Sequence, residues 1–171
     1  MRTTIKFLIF TFFLFVIGIF YISLNKEKNY NTRDLVGKKL DEIILESFEG
    51  DNFLNIHEFK KNNFTLVNFW ASWCGPCRLE HSTLMILKKS PKLKLIGINF
   101  KDKKDNANNF LKELGNPYHF VAKDELGKIS INFGVYGIPE TFLINDELVI
   151  LQKYIGPLTN EDYNKILKTI N

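Results

Sequence analysis

Phe64–Trp70, FTLVNFW, is an unbroken aromatic and β-branched run that ends four residues before the only two cysteines of the chain, Cys74 and Cys77. A run of that length without polar alternation suits a strand covered on both faces. Gly75 and Pro76 stand between the cysteines, and a helix tolerates proline in its first turn. Leu79, Met85, Ile86 and Leu87 then give a helical apolar stripe that closes near Ser90-Pro91. The thiol pair is thereby fixed at a strand-to-helix junction. With no further cysteine to form bridges, the body must hold itself by burial, and the 147 residues that follow position 24 suffice.

Residues 7–24, FLIFTFFLFVIGIFYISL, form an eighteen-residue stretch without a charge. At about 1.5 Å per residue such a helix reaches ~27 Å, close to the ~30 Å of a hydrocarbon core. A cleaved signal peptide requires a small-residue site, and the first alanine of the chain is Ala71. The expected organisation is an uncleaved membrane anchor over 1–24, a lysine-rich linker over 25–39 and one folded domain over 40–171. Arg2 and Lys6 precede the apolar run, but Lys26, Lys28 and Arg33 follow it, so charge leaves the orientation open. Outside 1–24 the chain carries 21 basic and 19 acidic side chains, and its arginines are only Arg2, Arg33 and Arg78. No dense basic face results, and nucleic acid is not an expected partner.

In the body, Asp41–Phe48 reads as a strand ending at the Glu49-Gly50-Asp51 turn, and Asn55–Lys60 as one helical turn. Leu93–Phe100 is a second buried strand, and Asp105–Leu114 a helix closed by Gly115. Tyr118–Ala122 reads as a short strand and Lys128–Phe133 as a short helix. Thr141–Ile144 and Leu148–Tyr154 form a hairpin, and Thr159 caps a last helix with Glu161 and Asp162 in its first turn. The order is β-α-β-α-β-α-β-β-α behind a short leading strand.

A cysteine at a helix start meets unpaired N–H groups and the positive end of the dipole, which favour its thiolate. A partner three residues on lies one turn later on the same side, within bridging reach. Cys74 is therefore expected to be the exposed nucleophile and Cys77 the inner, resolving thiol. A packed core pair is one rival reading. Another is a metal site of Cys74, Cys77 and His81, for which His57 or His119 would have to be recruited. Covalent haem attachment is excluded, because Arg78 stands where a histidine is required. Trp73 is placed to cover the disulfide or meet substrate, Trp70 to enter the core, and Arg78 and His81 to face solvent or touch substrate. Gly134–Thr141, GVYGIPET, precedes a strand, and Pro139 at its start cannot donate a ladder bond. A cis Ile138–Pro139 bond beside the thiols would offer backbone groups to an extended peptide; an ordinary tight turn is the alternative.

Four stretches together resemble the thioredoxin superfamily, and within it the membrane-anchored DsbE/CcmG-type thiol:disulfide reductases of cytochrome c maturation. They are WASWCGPCRLEH (Trp70–His81), INFKD (Ile98–Asp102), KELGNPY (Lys112–Tyr118) and GVYGIPETFLI (Gly134–Ile144). The resemblance implies an α/β thioredoxin-like fold: a central mixed sheet flanked by helices, an added N-terminal strand pair, a central insert, and one preceding transmembrane helix. It implies a cis Pro139 and a single-pass protein of the inner membrane whose soluble domain faces the periplasm. The implied activity is reduction of disulfides in the CxxCH of apocytochrome c, or in a thiol-bearing maturation partner. The implied electron source is a transmembrane thiol donor. Cys74 and Cys77 look like nucleophile and resolver, and Trp73, Ile138 and Pro139 like substrate-side residues. Glu80 and Glu140 match acidic positions of the family. Where thioredoxins carry a buried Asp this chain has Asn68, which cannot take a proton as a carboxylate does. Glu80 or Glu140 is expected to fill that role. The expected protein is a monomer with no metal and no cofactor beyond its redox-active disulfide. The alternatives are a less specialised envelope thiol reductase or oxidant, and a non-catalytic adaptor for CxxCH peptides.

Overall fold

A computed structural model of the chain describes residues 2–25, 35–40, 43–50 and 52–171. The chain divides into two units, 1–31 and 32–171. The described residues of the first form helix α1, Arg2–Asn25. Within it Thr4–Ile22 is long and apolar enough to cross a bilayer, with a mean hydropathy of 2.5.

The second unit holds a five-stranded mixed sheet and a small hairpin. The hairpin is β1 (Ile44–Glu46) and β2 (Phe53–Asn55), the extra strand pair expected at this end. The leading strand is shorter than the expected Asp41–Phe48; Asp41 and Asp51 lie outside the described residues, as do Lys26, Lys28 and Arg33 of the linker. A 3-10 segment follows at Ile56–Lys61, its first turn capped where Asn55 Oδ1 accepts the His57 N–H at 2.9 Å. Then come β3 (Phe64–Trp70), α2 (Gly75–Leu87), β4 (Leu93–Phe100), α3 (Lys104–Leu114) and β5 (Phe120–Asp124). The chain ends with α4 (Lys128–Asn132), β6 (Glu140–Asn145), β7 (Ile150–Ile155) and α5 (Asn160–Ile170).

The strand order is β5-β4-β3-β6-β7, with β3 parallel to β4, β4 parallel to β5, and β6 antiparallel to both β3 and β7. α3 and β5 form the insert between the βαβ half and the ββα half. Ser47 bridges to Ala122, and the Phe48 N–H donates to the Val121 carbonyl at 2.8 Å, so the hairpin is stitched to the β5 edge. Residues 35–40, shared between the expected linker and the expected domain, bond to the start of β7: the Gly37 N–H donates to the Ile150 carbonyl and the Ile150 N–H to that of Lys38.

Side chains alternate across the sheet, and each face has its own core. Leu66, Trp70, Leu95 and Leu143 pack with Leu84, Phe110, Tyr118 and Ile166 on one side. Val67, Phe69, Ile96, Phe142 and Ile144 pack with Leu45, Phe59 and Phe133 on the other. The face of α2 that meets the first core differs from the expected stripe. It consists of Cys77, Glu80, His81, Leu84 and Leu87, whereas Leu79 and Ile86 are 74% and 52% exposed. Two ionisable residues occupy positions that an apolar-only pattern assigns elsewhere.

Candidate active site

The last residues of β3 lead into a turn that Asp102 holds. Lys101 turns out of β4 at a left-handed φ of 44°, and the Asp102 carboxylate accepts from the Ser72 N–H at 2.6 Å and the Ser72 hydroxyl at 2.8 Å. Asn99 Nδ2 and the Lys103 N–H complete its shell at 3.1 and 2.8 Å. Cys74 follows as the N-cap of α2, its Sγ accepting the Cys77 N–H at 3.1 Å. The two sulfurs are joined in a disulfide with Cα atoms 5.3 Å apart.

Whole-residue exposure is 5% for Cys74 and 3% for Cys77. The expected contrast between an exposed and an inner cysteine is thus small in the oxidised state. Its cause is the loop before β6, whose Ile138 carbonyl oxygen lies 3.6 Å from Cys74 Sγ. The Ile138–Pro139 bond is cis, and Pro139 is buried. Trp73 is 59% exposed beside the pair, with its indole N–H donating to the Lys101 carbonyl at 3.2 Å. Trp70 is in the core, stacked on Tyr118 with ring centroids 5.5 Å apart.

The two carboxylates occupy different settings. Glu80 is buried one turn beyond Cys77; its Oε1 accepts from Asn68 Nδ2 at 2.7 Å and its Oε2 from the Leu158 N–H at 2.8 Å. Burial in this apolar face pushes its carboxyl up to about 7, against the pull of those two N–H donors. Glu140 is buried in an ion pair with Lys153 at 2.8 Å, and both side chains are 1% exposed. Its other oxygen accepts the N–H groups of Tyr136 and Gly137 at 2.9 and 3.3 Å, while Lys153 also donates to the Gly134 carbonyl at 2.8 Å. Glu140 and Lys153 therefore brace the loop that carries Ile138 and Pro139.

His81 departs from its expected solvent-facing position. It is buried against Phe110, with Nε2 2.9 Å from the Gly115 carbonyl, and burial lowers its pKa below the ordinary histidine value. Arg78 is exposed, but pairs with Glu113 at 2.7 Å and covers the Phe110 ring. Among the described residues no group of three His, Cys, Asp or Glu side chains is placed to hold a metal ion. Asp102 and Lys153 were not singled out from the sequence. Lys153, a charge within the otherwise uncharged strand ILQKYI, was the readable signal for its pair.

Comparisons with known proteins agree with this geometry. A Redoxin family model matches residues 35–168. The thiol:disulfide interchange protein DsbE of Vibrio cholerae serotype O1 is 35% identical over 172 residues, covering 98% of this chain and 93% of that protein. The thiol:disulfide interchange protein CycY of Rhizobium leguminosarum bv. viciae is 52% identical over 100 residues, which cover 58% of this chain and 54% of that protein. A Chlorobium tepidum structure described as a thiol:disulfide interchange protein DsbE matches with a TM-score of 0.66 at 26% identity. That match covers 79% of this chain and 94% of its counterpart.

Proposed function

The chain belongs to the Redoxin family and is a DsbE-type thiol:disulfide oxidoreductase of the thioredoxin superfamily; from that premise we propose that it reduces the CxxCH disulfide of apocytochrome c, or of a maturation partner bearing that thiol pair. The observation that carries this reading is the position of Cys74, at the N-terminus of α2 and 3.6 Å below the Ile138 carbonyl. In the reduced protein the Cys74 thiolate attacks one sulfur of the substrate disulfide. The other substrate sulfur leaves as a thiolate and takes a proton, and Cys74 is held in a mixed disulfide. Cys77 then gives its proton to Glu80 and attacks Cys74 Sγ, expelling the second substrate sulfur as a thiolate, which takes up a proton in its turn. The balance is two electrons: one substrate disulfide becomes two thiols as Cys74 and Cys77 become a disulfide. A transmembrane dithiol donor restores the pair by the reverse exchange.

Glu80 suits the proton-accepting role because its carboxyl titrates near neutrality and sits one turn from Cys77. Both oxygens of Glu140 are engaged with Lys153 and the Tyr136–Gly137 backbone, so its part is to shape the substrate loop. Ile138 and Pro139 on that loop, with exposed Trp73 beside the pair, form the peptide-binding side. α1 serves as an uncleaved inner-membrane anchor over 1–24, and 25–39 leads from it to the periplasmic domain over 40–171, its last residues bonded to β7; the apolar Thr4–Ile22 stretch supports the anchor.

The test is trapping. A Cys77→Ala variant should accumulate a mixed disulfide between Cys74 and an oxidised CxxCH peptide, resolved on adding dithiol. No adduct with that peptide, while unrelated envelope disulfides are trapped, would refute the substrate assignment. Full cytochrome c maturation by a Cys74→Ala/Cys77→Ala double variant would replace catalysis with a binding role.

A further inference from the structure

The Gly115–Tyr118 loop, GNPY, takes no step in the exchange proposed above, yet its geometry leads into the site. Gly115 turns the chain after α3 at φ 85°, where an added Cβ would stand 2.9 Å from Met85 Cε. Asn116 Oδ1 accepts the Tyr118 N–H at 2.9 Å, a side-chain turn that reverses the backbone. Lys88 donates to the Asn116 carbonyl at 2.7 Å and His81 Nε2 lies 2.9 Å from that of Gly115, so the loop is tied to α2.

These ties send the Tyr118 ring across the sheet over Gly97. Gly97 is the register neighbour of Asn68, and a Cβ there would come within 2.7 Å of the ring. Through that gap the Tyr118 hydroxyl donates to Asn68 Oδ1 at 2.7 Å. Asn68 Nδ2 uses its two protons on Glu80 Oε1 at 2.7 Å and Thr141 Oγ1 at 2.9 Å. Turned over, the amide would aim its oxygen at the Glu80 carboxylate and its nitrogen at the phenol oxygen. The phenol proton would then lose the Asn68 Oδ1 acceptor that it uses, so Tyr118 favours the arrangement that feeds an N–H to Glu80.

We propose that Tyr118 is a positioning residue for the exchange reaction: acting through Asn68, it keeps an N–H directed at Glu80 and sustains that carboxylate as the base for the Cys77 proton. This rests on Glu80 being that base. The effect opposes burial, which alone would keep Glu80 protonated at neutral pH and unable to accept a further proton. Glu80 also accepts the Leu158 N–H ahead of α5 and acts on the phenol electrostatically, and Cys77 stands one turn before it on the buried face of the same helix. Burial, with the Glu80 charge adding to it, holds the Tyr118 proton well above its ordinary range, so the phenol stays a donor throughout.

The experiment follows the Glu80 carboxyl by 13C chemical shift against pH, in the full-length protein in detergent micelles, with Glu80→Gln to assign the signal. Tyr118→Phe should raise the Glu80 midpoint by roughly one pH unit, tenfold in proton affinity, and slow exchange with dithiol at neutral pH. Gly97→Ala, which displaces the ring but keeps the phenol, should move the midpoint the same way. In a Glu80→Gln background, Tyr118→Phe should leave the Cys77 titration unchanged. A Glu80 midpoint unmoved in both Tyr118→Phe and Gly97→Ala overturns the inference. A Cys77 titration unmoved by Glu80→Gln alone overturns the assignment of Glu80 as the base, whatever Tyr118 does.

Discussion

Replacing Lys153 by Met would leave the Glu140 carboxylate buried without its counter-charge. Both side chains of the pair are 1% exposed and 2.8 Å apart, so water cannot substitute for the lost ammonium. Breaking one partner of a buried pair costs about 3–5 kcal/mol, and here the Gly134 carbonyl also loses its donor. For a domain of this size that corresponds to a fall in Tm of roughly 10–15 °C. The double variant Glu140→Gln/Lys153→Met removes both charges and should recover about 2 kcal/mol of the loss, a coupling that independent sites would not show. Tryptophan fluorescence follows unfolding well, because both tryptophans, Trp70 and Trp73, lie in the folded domain. The exposed Lys165–Glu161 pair, 55% and 77% accessible, is the internal control: Lys165→Met should cost under about 0.5 kcal/mol. A Lys153→Met loss no larger than that of Lys165→Met would refute the reasoning, since it would mean that the loop before β6 stands without its buried brace.

Three further outcomes follow from the site. Glu80 has a folded-state pKa raised from 4.5 to about 7, so the stability linked to its proton is fully present below pH 4.5 and is lost as pH climbs towards 7. Glu80→Gln should remove that loss, up to ~3 kcal/mol, and parallel wild-type and variant curves between pH 4.5 and 8 would contradict the burial argument. Gly97→Ala forces a methyl to within 2.8 Å of the Tyr118 ring and Trp70 Nε1, and should destabilise by about 1–3 kcal/mol in denaturant titration. Asp102→Ala strips the Ser72 turn of its carboxylate and should cost about 2 kcal/mol while slowing dithiol exchange severalfold; an unchanged exchange rate would show that the turn is held by other means.

Where burial was continuous, the fold was legible in the sequence. β3 and β4 match their expected bounds because runs of seven and eight mostly apolar residues, interrupted by a single charge at Lys94, admit little else than a covered strand. α5 was marked by Thr159 and Asp162, which form the reciprocal cap. β5 was displaced by two residues, from Tyr118–Ala122 to Phe120–Asp124, because an apolar Tyr118 looks like strand while its backbone N–H is taken by Asn116. Asp124 looks like a strand breaker, yet its buried carboxylate accepts from the Ile129 and Ser130 N–H groups and starts α4.

The thiol pair could be read because its chemistry is local: a cap position, a three-residue spacing and a proline in the first turn all lie within Cys74–Cys77. Glu80, Glu140 and Asn68 could be named beside it, but their bonding partners could not, because polar satisfaction is a long-range property. Asn68 is 73 residues from Thr141, and Glu80 is 78 residues from the Leu158 N–H that it accepts. A sequence shows that a polar group falls in an apolar run or on a core-facing helix position. Only the packed sheet decides whether that group is neutralised, like Glu140 by Lys153, or held near neutrality by burial, like Glu80. Two carboxylates that look interchangeable along the chain are thereby given different settings, and the difference lies in one ammonium group, present beside the first and missing from the bonded partners of the second.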